Sequence, residues 1–169
     1  MRTALKVGAG IGIMLLLLIG ARGLYPSDPL TVVYASSDGG NLTIKPLSPY
    51  SHLDGNGFLV VDVSPDSPFY PGVGDGLSVN STYVFEDVFE IGNNQSETGY
   101  PEICVLVSSS DPKIGFFVGS FNGTWSDSVE FTVESGESVE LGARISTEGL
   151  SLGDYWGDFT IEAWGGACK

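Results

Sequence analysis

Three glycine-rich loops carry side chains suited to a hard cation: DGNG (54–57), GDG (74–76) and GDYWGD (153–158). Asp54, Asn56, Asp75, Asp154 and Asp158 offer oxygen ligands on backbones free to wrap an ion, which is calcium chemistry. None has the spacing of an EF-hand loop, which needs a bidentate Glu at its twelfth position. Asp-Gly pairs are also good turn formers, so structural calcium and plain turns both stand as readings. Other chemistry is poorly supplied. His52, in SPYSHLDGNG, is the single imidazole and reads as a solvated loop residue, which leaves no base to activate a nucleophile. No G-x-S-x-G, phosphate-binding loop or H-E-x-x-H occurs. Carboxylates are plentiful but fall on outward strand positions or in turns, not as an acid/base pair in a cleft. The expectation is a protein that is not an enzyme. Trp125, Trp156 and Trp164 lie near the acids and suit sugar stacking, but Trp164 ends a strand and reads equally as a cap on the core.

Two further residue types bear on where the chain works. Asn41-Leu42-Thr43, Asn80-Ser81-Thr82, Asn94-Gln95-Ser96 and Asn122-Gly123-Thr124 are N-glycosylation triplets without proline. Cys104 lies in ICVLVSSS and Cys168 is the penultimate residue. Outside the cell the pair can form one disulfide; the other reading is a buried apolar cysteine and a tail thiol. Two cysteines and one histidine do not make a zinc cluster.

These groups need a scaffold and an address. The 169-residue chain has 21 acids and seven cations, three of which (Arg2, Lys6, Arg22) lie in the first 23 residues. From Leu24 onward four cations therefore face 21 acids, a net charge of about −17. Such a surface repels nucleic-acid phosphates and anionic lipid, so neither is an expected partner. With 42% hydrophobic residues the chain is nonetheless expected to fold. Residues 1–23 have the charged, apolar and small-residue layout of a signal peptide, with a short membrane anchor as the alternative. Residues 24–169 then form one secreted or cell-surface domain, touching a membrane only if that segment is retained.

After the leader no helical period extends over three turns, whereas short stretches alternate with period two between Gly- and Pro-rich turns. LTVVYA (30–35), NLTI (41–44), GFLVVDV (57–63), TYVFEDVFEIG (82–92), ICVLVSS (103–109), IGFFVGS (114–120), SVEFTV (128–133), SVELGARI (138–145) and DFTIEAW (158–164) read as about nine strands. Tyr83, Phe85, Phe89 and Ile91 fall on one face of the longest, with Val84, Glu86, Val88 and Glu90 on the other. SSDPK (109–113) reads as a proline turn and ESGE (134–137) as a hairpin. The expected fold is all-β, a two-sheet antiparallel sandwich of the jelly-roll or immunoglobulin-like kind.

The segments N-S-T-Y-x-F-x-D-x-F-x-I-x-N-N (from Asn80), V-x-S-G-E-S-V-x-L-G-x-x-I-S-T-x-G-L (from Val133) and G-D-Y-W-G-D-F-T-I-x-A (from Gly153) resemble an archaeal family of secreted β-proteins of unassigned function. More distantly, the chain is similar to TasA and camelysin biofilm-matrix proteins and to archaeal bundling-pilus subunits. That resemblance implies a jelly-roll whose subunits polymerise by donor-strand exchange, giving a homopolymer or a matrix shared with other cell-surface proteins. The implied donor is LTVVYA, with Leu30, Val32, Val33 and Tyr34 as its contact residues; the other reading is an ordinary first strand of its own sheet. A secreted or tethered module binding carbohydrate or calcium is the alternative function.

Overall fold

A computed structural model describes residues 29–32 (backbone), 42–64, 67, 77–151, 155 and 157–169. The leader, residues 1–23, lies outside them. Ten strands follow in chain order: β1 (Pro29–Val32), β2 (Thr43–Pro46), β3 (Ser51–Leu53), β4 (Leu59–Asp62), β5 (Thr82–Gly92), β6 (Glu102–Ser109), β7 (Ile114–Val118), β8 (Ser128–Glu134), β9 (Ser138–Ser146) and β10 (Asp158–Gly165). A single helical turn, α1 (Gln95–Thr98), is capped by the Asn94 side chain. The strands form a six-stranded sheet, β3-β4-β1-β10-β6-β8, and a four-stranded sheet, β2-β5-β9-β7. The all-β, two-sheet sandwich expected from the alternation is the observed architecture.

The sheets pack through the residues that the period-two pattern turns inward. Phe89 and Ile91 of β5, Phe116 of β7 and Leu141 of β9 meet Val105 and Val107 of β6 and Phe159 and Ile161 of β10 in one buried cluster. Phe159 bridges the layers, with its ring centroid 5.9 Å from Phe89 and 5.0 Å from Phe116. Each fully buried Phe of this kind contributes about 1.5–3 kcal/mol by removal from water. At one end the buried Asn93 ties both layers together. Its Nδ2 donates to the carbonyls of Tyr100 and Val133 at 3.3 and 3.2 Å, and its Oδ1 accepts from Thr98 Oγ1 at 2.7 Å.

Four local expectations are corrected. ESGE does not close a hairpin: β8 pairs with β6 and β9 with β5 and β7, in different sheets. The turn is an arch, with Gly136 at φ +83° donating its N–H to the Asn93 carbonyl. Alternation cannot distinguish strands paired edge to edge from strands stacked face to face, since both present one apolar side. Val88 is buried in the main core rather than turned outward. Between Phe85 and Phe89 the register with β9 slips, and Asp87 adopts φ +50°, so a bulge rotates Val88 inward. His52 is not on a loop: it belongs to β3, opposite Val60 of the β3–β4 hairpin. Trp164 does not cap the core, because β10 carries it on the exposed face of the six-stranded sheet, opposite Cys104.

From β5 to β10 every connection crosses from one sheet to the other. Among the described ladders one pairing is parallel. β1 lies between β4 and β10, antiparallel to the first and parallel to the second. Pro29 stands at its first position, where a missing N–H is tolerated.

Candidate functional site

The seat of β1 is a candidate site built from backbone. Pro29, Leu30 and Thr31 are register partners of Asp62, Val61 and Val60, while Thr31 and Val32 are partners of Asp158 and Phe159. Among the described residues the β3–β4 hairpin has no ladder partner in its sheet except β1, so β1 joins the hairpin to the other strands. The flanking strands bury Val61 and Phe159 beside it. Of the expected donor residues, Leu30 and Val32 lie in this strand, and Val33 and Tyr34 lie outside the described residues. A strand held between two edges offers two rows of main-chain groups, the geometry by which a peptide adds to a sheet.

The acidic loops behave differently from one another. Asp54 Oδ1 accepts from the N–H groups of Asn56 and Phe58, each at 2.8 Å, and so closes the turn between β3 and β4. The bond from the Phe58 N–H, aided by those from Asn56, outweighs desolvation and holds the carboxyl below its usual pKa. Asn56 adds an Nδ2 contact to Oδ2 at 3.4 Å. Asp158 is the first residue of β10, and its carbonyl accepts from Ser109 Oγ at 3.1 Å. Asp75, Asp154 and Trp156 lie outside the described residues. Among the described residues, one group of three metal-ligating types comes together: Cys104, Glu130 and Cys168. It is a disulfide beside a carboxylate, with Cys104 bonded to Cys168 and Glu130 Oε1 lying 3.1 Å from the Cys104 sulfur. The bond fastens the C-terminal tail across the outer face of the six-stranded sheet. There the Gly166 N–H donates to the Glu102 carbonyl and the Cys168 N–H to Thr132 Oγ1.

The glycosylation triplets occupy exposed turns where the structure describes them. Asn80, at φ +52°, uses Oδ1 to accept from the Gly149 N–H at 2.9 Å. Asn94 Oδ1 accepts from Ser96 as the cap of α1. Asn122 Oδ1 accepts from the Thr124 N–H at 2.9 Å. Asn41 lies outside the described residues.

Sequence reading missed a layer of rings on the outer face of the four-stranded sheet. The loop between β7 and β8 folds back so that Trp125 covers Gly115 and stands 4.0 Å from the Arg144 guanidinium carbon. Phe117 covers Gly142, and Phe121 packs on Phe117 at 4.9 Å. The available signals were Gly115 and Gly142 inside alternating strands, where glycine marks a close approach, and Arg144 as one of four cations after the leader.

Residues 33–168 match the family model described as protein of unknown function (DUF1102). The chain belongs to that family. No curated protein matches it. The matched span opens at Val33, directly after β1.

Proposed function

We propose that this chain is a non-enzymatic structural protein of the cell surface or extracellular matrix, a filament subunit that lends β1 to the next copy. The observation that carries the reading is the position of β1: a four-residue strand from near the chain start, parallel to β10 in a sheet whose other described ladders are antiparallel. Withdrawing it leaves β4 and β10 with facing unpaired edges, and the same segment of a second copy satisfies both. Such a contact is head-to-tail and does not close, so its product is a fibre. The similarity to TasA, camelysin and bundling-pilus subunits favours the same exchange. The export-type leader, the acidic surface and the glycosylation triplets favour an extracellular site of action.

The test compares residues 24–169 with a version lacking Leu24–Ala35 by electron microscopy and sedimentation. Fibres from the first and folded monomers from the second are the expected result. A synthetic Leu24–Ser36 peptide is expected to bind the truncated protein and to cap growing fibres. Folded monomers from both would instead favour a secreted or tethered binding module for carbohydrate or calcium.

A further inference from the structure

We infer that Asn122 is an N-glycosylation site whose first sugar is seated by the protein itself, on the ring layer beside it. The loop carrying Asn122 is held at both ends. The Gly119 N–H donates to the Glu140 carbonyl at 2.9 Å, and Ser126 exchanges backbone hydrogen bonds with Phe116 at 2.7 and 3.0 Å. In between, the Phe121 N–H donates to Glu86 Oε1 at 2.9 Å. Asn122 is therefore presented on a fixed turn. Its Oδ1 is occupied by the Thr124 N–H, and its Nδ2 has no hydrogen-bond partner among the described residues. Gly123, at φ +94°, puts no side chain over the acceptor.

Next to Asn122 a cavity of about 220 Å³ is lined by Phe117, Val118, Ser120, Thr124 and Trp125 among others. Sites that enclose a free small ligand typically run about 300–1,000 Å³, so this one suits a single ring tethered at its rim. Trp125 rests on the sheet at Gly115 and Arg144 yet is 37% exposed. The exposed part of its ring, which borders the cavity, can take the C–H face of a pyranose, because the aromatic ring attracts polarised C–H groups. Ser120 and Thr124 supply hydroxyls at the edge. The hollow beside Asn94 differs: its lining has no ring and includes Glu90 and Glu137. Asn80 uses its Oδ1 to hold a distant loop. Asn122 alone among the described triplets combines a presented amide with an aromatic seat.

The modification is glycosyl transfer from a lipid-linked (pyro)phosphate sugar donor, catalysed by a transferase on the export route. A bond forms between Asn122 Nδ2 and the anomeric carbon, the C1–O bond to phosphate breaks, the lipid phosphate leaves with the electron pair, and Nδ2 loses one proton. This inference requires export of the chain but not its polymerisation.

The experiment produces the wild-type protein and Thr124→Ala in a host that N-glycosylates exported proteins and in one that does not. Peptide mass spectrometry reads occupancy, and thermal unfolding reads the seat. Asn122 is expected to be occupied in wild type only, and Thr124→Ala is expected to lower Tm by about 3 °C in the glycosylating host and to leave it unchanged in the other. An unmodified Asn122, or equal Tm changes in both hosts, would overturn the inference.

Discussion

Thr31 is the parallel register partner of Asp158 and, on its other side, the antiparallel partner of Val60. Its main chain therefore stands between two edges that no other described strand joins. Proline at this position removes a ladder donor. Thr31→Pro leaves a carbonyl unpaired at a cost of about 1–3 kcal/mol, so the critical concentration for fibre growth is expected to rise about five- to 150-fold. Sedimentation of the assembled fraction against protein concentration measures it.

Gly142 is kept free of a side chain by Phe117. A Cβ there would lie 2.1 Å from Phe117 Cζ and 2.8 Å from the Phe85 carbonyl oxygen. Because one neighbour is backbone, the ring cannot relieve the clash alone. Gly142→Ala is expected to cost about 1–3 kcal/mol in urea unfolding, as overpacking does, and to displace Phe121 with Phe117. The same substitution at Gly99, where a Cβ meets nothing within 4 Å, is opposed by its φ of +79° and not by packing.

Cys104 and Cys168 close a loop of 64 residues in sequence separation. In the chain-entropy model such a crosslink contributes about 4 kcal/mol. Cys168→Ser is expected to lose that amount in chemical denaturation and to release the tail from the outer face, read by faster amide exchange at Gly166 and Cys168.

Asp54 holds its hairpin as the carboxylate. Its folded pKa lies below the ordinary value, so its contribution is present above about pH 4, the unfolded value, and is lost as pH falls through the folded pKa. Exchange protection of the Phe58 amide is expected to decline across that acid window. In Asp54→Ala the amide is expected to be weakly protected at every pH.

Much of this molecule was legible in its residues. The inward sets Val139, Leu141, Ala143 and Phe159, Ile161, Ala163 pack on the main core as their alternation requires, and Ile145 joins Val63 and Leu77 in a second buried cluster. Connectivity was less legible: ESGE reads the same whether it bends within a sheet or between two, and only the partners of β8 and β9 decide. Ser51–Leu53 is too short to show a period, and the bulge at Asp87 has no signature beyond an acid in a strand. The ring layer depends on a loop folding back over two glycines, a contact between positions distant in sequence. For the candidate site, sequence located LTVVYA, while its seat between β4 and β10 is a tertiary relationship that no local pattern encodes.

The most direct test of the account is negative-stain microscopy of residues 24–169 beside the version lacking Leu24–Ala35. Fibres are expected from the first and folded monomers from the second. Fibres from both would contradict a role for β1 in joining subunits, and folded monomers from both would contradict the filament itself.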